Sequence, residues 1–193
     1  MLSLLLVFCL FFVLAMIVPS LRVWRSTGIN PLVLAREDSA EGFVAGIFKF
    51  SLVVLAGYFL LGSLGFTAGI GEFQWPWRDV VARIGWGLIA ASLGWVLFAQ
   101  VNMGRSWRIG IDHARATDLV SGGLFHFSRN PIFLGMVTWL VGLLLVQPDA
   151  VTLATLVAGF ISISVQIRLE EEHLSALHGD AYAQYCGKVR RWI

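Results

Sequence analysis

The chain has 193 residues, 58% of them hydrophobic and 13% charged, about half the charged share of an ordinary globular protein. That is too little charge to clothe a water-exposed surface, so the chain reads as an all-α integral membrane protein. A net charge of +2 and two widely separated cysteines, Cys9 and Cys186, exclude a nucleic-acid binder, a disulfide framework and a cysteine metal pair.

Five apolar runs predict helices that cross a hydrocarbon core of about 30 Å. They are Leu2 to about Val18, Phe43 to Leu64, Val80 to Val101, Pro131 to Val146 and Ala150 to Ile167. The first lacks a basic segment ahead of it and is long for a cleaved signal, so it is expected to be retained. Only Gln147, Pro148 and Asp149 separate the last two, which forces a tight antiparallel hairpin. Small residues such as Gly85, Gly135, Gly142 and Gly159 suit close helix packing in lipid.

Basic residues set the expected orientation. Arg22, Arg25 and Arg36 follow the first run, Arg105, Arg108, Arg115 and Arg129 the third, and Arg168, Lys188, Arg190 and Arg191 the fifth, whereas the opposite side has Arg78. Positive loops stay in the cytosol, so the N-terminus is expected outside. Trp75, Trp77, Trp107 and Trp192 are read as markers of the membrane interface. The chain divides into three N-terminal helices over residues 1–101 and a region at 102–193 comprising a loop, the hairpin and a polar tail. Because a hairpin returns the chain to the side it left, the loop at 102–130 and the tail after Ile167 should be neighbours.

Two stretches there could carry chemistry. Ser128-Arg129-Asn130-Pro131 suits a helix start, with Asn130 as cap, Pro131 as first residue and Arg129 at the headgroups. The same residues could also aim free amides at an anion. The last run continues into Arg168-Leu169-Glu170-Glu171-Glu172-His173. At about 100° per residue Glu171 and Glu172 flank Arg168, while Glu170 points nearly opposite, toward Gln166 and Ser162. Such charges are either a solvated ion pair or the wall of a polar site at the membrane boundary. His113, His126, His173 and His178 lack metal-ligand spacing, so no metal is expected. Gly122-Gly123 is too short for a dinucleotide fingerprint.

The ordered set Gly104-Arg105-Ser106-Trp107, Leu119-Val120 with Gly123 and Phe125, Arg129-Asn130-Pro131-Ile132-Phe133-Leu134-Gly135, the hairpin, Glu171-Glu172-His173-Leu174, His178-Gly179, Tyr182 and Tyr185 resembles the isoprenylcysteine carboxyl methyltransferase family and its relatives, the phospholipid methyltransferases. The resemblance covers the second half of the chain. It implies a five-helix membrane enzyme that binds S-adenosylmethionine in a pocket of the cytosolic loop and tail, with a lipophilic or small acceptor arriving from the bilayer. The small size resembles the prokaryotic members, which implies a bacterial inner membrane.

Carried onto this chain, the cofactor pocket comprises Leu119, Val120, Gly123, Phe125, His126, Arg129, Asn130, Pro131, Phe133, Glu171 and Glu172, with Arg168 and Glu171 as catalytic residues. A carboxylate acceptor could be oriented by Arg168; an amine or thiol would need a base, for which Glu171, Glu172 or His126 are candidates. The chain departs from the family pattern at Asn130 and Phe133, where His and Tyr are usual, at Gln166, where Arg is frequent, and at His178. Two other readings remain: a membrane reductase of the sterol-reductase type using a nicotinamide cofactor, and a non-catalytic transporter or assembly factor, which would carry paired polar groups at the bilayer midplane.

Overall fold

In a computed structural model, which describes residues 1–33, 38–66, 71–74, 76–113 and 115–193, the described residues form six helices and no sheet. The helices are α1 (Leu2–Thr27), α2 (Ala40–Ser63), α3 (Arg78–Met103), α4 (Pro131–Val146), α5 (Ala150–His178) and α6 (Asp180–Lys188). Arg36 and Trp75 lie outside the described residues. Four of the helices, α1, α2, α3 and α5, are long and apolar enough to cross a membrane. The remaining one of the five expected spans, α4, is a shorter apolar helix, whose 16 residues reach only about 24 Å.

Side-chain caps start α2 and α5. Ser39 caps α2 by accepting the Gly42 N–H at 3.1 Å. Asp149 opens α5 in a reciprocal box, accepting the Thr152 N–H at 2.9 Å while its own N–H reaches the Thr152 hydroxyl at 3.3 Å. Such boxes satisfy donors that a helix start leaves free. The Tyr58 hydroxyl of α2 donates to the Asp149 carboxylate, and the Phe73 N–H bonds the Pro148 carbonyl at 2.8 Å. The three-residue turn at 147–149 is thus pinned beneath its neighbours.

α1 contains a π turn at Val13–Ile17, two residues before Pro19. A proline has no N–H to return to the carbonyl four residues back, which here is Ala15. The Gln100 side-chain amide of α3 donates to that carbonyl at 2.6 Å inside the bundle. A polar residue in the last turn of an apolar helix therefore serves the backbone of its neighbour, as lipid requires.

α3 and α4 pack most tightly. A Cβ on Gly85 would stand 2.8 Å from the Gly142 carbonyl, and one on Gly142 would stand 2.9 Å from the Gly85 carbonyl. Only glycine permits that approach, the small-residue seam expected between helices in lipid. Phe8 and Phe11 of α1, Phe59 of α2 and Trp139 of α4 fill the centre, with Phe11 and Trp139 stacked at 4.7 Å. Large apolar side chains such as Phe43 and Phe50 face outward.

The polar connections gather at one end of the bundle. The segment after α1 pairs with the segment after α3, Val33 N–H to the Ile109 carbonyl and Ile109 N–H to the Pro31 carbonyl, both at 2.9 Å. Trp107, expected at an interface, is instead buried there at 3% exposure. Trp77 is fully outward, and Trp192 stacks on Phe160 of α5.

Candidate functional site

The loop at 102–130 and the tail meet as the hairpin requires. The loop is shaped from below by Asn102, whose side-chain oxygen accepts the Leu124 N–H at 2.9 Å. Gly123 sits at a φ of +61°, and a Cβ there would fall 2.1 Å from that oxygen. Glycine is needed at this position for both reasons. The buried Ser128 hydroxyl then accepts the Asn130 N–H at 3.1 Å, a local turn that aims Arg129 inward.

From the other side come α5, α6 and the residues after it. The Tyr185 hydroxyl donates to the Phe125 carbonyl at 2.6 Å. Burial pushes the Tyr185 phenol up to about 12 and raises that of Tyr182, so both are neutral donors across the physiological range. Arg129 donates through its backbone N–H to the Arg190 carbonyl at 3.0 Å and through Nη1 to the Cys186 and Val189 carbonyls at 3.4 and 3.3 Å.

Glu171 lies at the centre of the charge arrangement. Its Oε1 accepts from Nε and Nη2 of Arg129 at 3.2 and 2.9 Å, and Arg191 grips it from the far side, Nη2 reaching Oε2 at 2.6 Å. The expected partnership of Glu171 with Arg168 does not form. Arg168 projects outward and bonds the Ser164 carbonyl of its own helix at 2.6 Å. Nor is Arg129 a headgroup anchor, since only 13% of its side chain is exposed. Asn130 does not cap α4 with its side chain; its amide donates instead to the Arg191 carbonyl at 3.1 Å.

These residues enclose a cavity of about 110 Å³. Of the residues expected around a cofactor, Leu119, Val120, Phe125, Arg129, Asn130, Pro131, Phe133 and Glu171 line it; Gly123, His126 and Glu172 do not. His126 and Glu172 are exposed. Among further wall residues, Asp118, Leu174, Tyr182 and Tyr185 come from the loop and tail, and Glu170 comes from the α5 face that helical spacing assigns to Gln166 and Ser162. The side chain of Gln166 does donate to Glu170, at 3.0 Å.

A second cavity of about 150 Å³ begins where the first ends. Met103, Ile132, Phe133 and Glu170 line both. From that shared wall it runs between α1, α2, α4 and α5, past Gln166, Ser162 and Phe48. A third, almost wholly apolar cavity of about 80 Å³ continues past Phe48, Met136 and Ile163 to Phe11 and Trp139. The pattern is a chamber at the bundle end that holds Asp118, Arg129 and Glu171, Glu170 at its inner wall, and behind it a mostly apolar tract whose first part also carries Glu41, Arg108 and Gln166.

The phospholipid methyltransferase family model matches residues 80–181, more than half of the chain and every helix that contributes a side chain to the shared wall. None of the curated proteins matches the chain.

Proposed function

The chain belongs to the phospholipid methyltransferase family, and from that membership we propose that it moves a methyl group from S-adenosylmethionine to a lipophilic acceptor at the membrane–cytosol boundary. The observation that carries this reading is the shared wall at Glu170 and Phe133, where the chamber that holds Arg129 and Glu171 meets a mostly apolar tract leading to Phe11 and Trp139. A donor soluble in water and an acceptor soluble in lipid need such a junction.

The donor set of the outer chamber fits this cofactor. Arg129, Glu171 and Arg191 together carry one net positive charge, and Arg129 lines the chamber beside the α4 start; that suits an amino-acid carboxylate. Phe125, Tyr182 and Tyr185 offer aromatic walls to an adenosine, and Glu170 and Asp118 offer negative charge to cationic groups. When bound, the sulfonium supplies an electrophilic methyl group for in-line displacement. The chain's own work is to hold both reactants, keep water out and take up charge and protons. A carboxylate acceptor would meet the Glu170 carboxylate at the shared wall, which favours an amine or a thiol that gives its proton to Glu170. Glu171, saturated by two arginines, is a holder of Arg129 in this reading, and Arg168 has no part in the chamber.

We further assign five membrane crossings, with α4 short and paired to α5, the N-terminus outside and the chamber cytosolic. The support is the basic loops and their gathering at one end of the bundle. A cysteine at exposed Lys188, in a chain with Cys9 and Cys186 replaced by Ser, should be labelled from the cytosolic side. Labelling from the opposite side alone would reverse the arrangement.

Equilibrium titration of the detergent-purified protein tests the donor. S-adenosylmethionine and its demethylated product should bind competitively, with or without a chelator, and NADPH should not. Binding of NADPH with no binding of either sulfonium or thioether nucleoside would turn the assignment toward a reductase.

A further inference from the structure

Arg191 lies outside residues 80–181 and does not line the outer chamber, yet it reaches the site through Glu171. Its Nε stands 3.1 Å from both Glu171 oxygens and its Nη2 at 2.6 Å from Oε2. Polar contacts from the segment that carries it converge on three residues of the site. The carbonyls of Cys186, Val189 and Arg190 hold Arg129, the Arg191 carbonyl holds Asn130, and the Arg191 side chain holds Glu171. Trp192 stacks against Phe160 of α5, at 6.3 Å between centroids with the planes 17° apart, which fastens the segment beyond the clamp.

The charge balance gives this grip a consequence. Arg129 and Glu171 alone would be a neutral pair, each satisfying the other and leaving little field in the chamber. With Arg191 added, the three side chains together carry one net positive charge, while Arg129 keeps its own bonds to Glu171 at 3.2 and 2.9 Å and lines the chamber. We infer that Arg191 is a positioning residue for the anionic end of the methyl donor: it turns the neutral Arg129–Glu171 pair into a group of net positive charge, which the amino-acid carboxylate meets at Arg129. The inference rests on the donor proposed above.

Two nucleosides separate a charge role from a general loosening of the tail. S-adenosylhomocysteine carries the amino-acid carboxylate; 5′-methylthioadenosine has the same adenosine and thioether without it. Arg191→Gln should weaken S-adenosylhomocysteine roughly tenfold, the scale of one charge-assisted contact, and leave 5′-methylthioadenosine within about twofold. Arg191→Lys, which keeps the charge but not the fork, should recover most of the loss. In turnover assays Arg191→Gln should raise the donor KM and spare kcat. Equal loss of both nucleosides, or unchanged S-adenosylhomocysteine binding, would overturn the inference. A wild-type protein that binds neither nucleoside removes the donor reading itself, a failure distinct from either of those.

Discussion

Replacing Glu170 by Gln is expected to lower methyl-transfer turnover by about 10²- to 10⁴-fold, the usual contribution of a placed proton acceptor, while donor affinity falls by no more than about tenfold. Glu170 has the geometry for that split. It is half-buried, is bonded to one neighbour, Gln166, and stands in the wall common to the outer chamber and the apolar tract. The amide of Gln keeps the shape and can still bond Gln166, so what is removed is the ability to hold a proton. Steady-state rates and donor titrations on the same preparation measure both quantities. Full activity in Glu170→Gln would mean that the acceptor gives up no proton there, which points back to a carboxylate.

Glu171→Gln should act differently, through stability first. Arg129 and Glu171 are 13% and 14% exposed, and Arg191 closes the group at 40%. Taking away the carboxylate leaves two guanidiniums facing each other in a largely dry setting, and breaking a buried pair in this way costs about 3 kcal/mol or more. The exposure of Arg191 keeps the estimate at the lower end, because water screens that arm. Thermal unfolding in detergent should show a clear fall in midpoint for Glu171→Gln and a partial recovery in Glu171→Gln with Arg191→Gln, where the repulsion is gone. Arg168→Ala should change stability by less than about 0.5 kcal/mol and leave turnover intact, since an exposed side chain away from such features contributes little. A large effect of Arg168→Ala with none of Glu171→Gln would return the site to the arrangement expected from helical angles alone.

The contrast between Arg168 and Arg191 shows how far the sequence could be read. The apolar runs, the three-residue turn at 147–149 and the meeting of loop with tail follow from local rules: a hairpin too short to wander must return the chain to its starting side. The face of Glu170 also followed, because helical angle depends only on spacing along one helix. The partner of Glu171 did not. A helical wheel ranks neighbours within α5, and Arg168 is the nearest cation there, but the carboxylate is taken by Arg129, 42 residues before it, and Arg191, 20 residues after it. Those distances close only when the tail folds back over the loop. Gln100 is a similar case: its service to the Ala15 carbonyl is 85 residues away in sequence, although Pro19 already marked that carbonyl as short of a donor. Trp107 departs from its expected place because aromatic residues near a span end favour the interface only as a tendency, and here the pairing of segments after α1 and α3 covers it. The length of α4 was in plain view as 16 residues; its shortness mattered once the long α5 beside it, roughly 43 Å by helical rise, set the scale of the bundle.

The central claim is that a methyl group crosses the shared wall from a water-soluble donor to a lipophilic amine or thiol. The purified protein in nanodiscs, given S-adenosylmethionine tritiated in the methyl group together with a total lipid extract, tests it directly. The claim predicts label in the organic phase that mild alkali does not release as volatile methanol, because N-methyl and S-methyl bonds survive it, and that is lost in Glu170→Gln. Label released by alkali as methanol would identify a methyl ester and contradict the acceptor assigned here, and no transfer to any lipophilic fraction would contradict the claim as a whole.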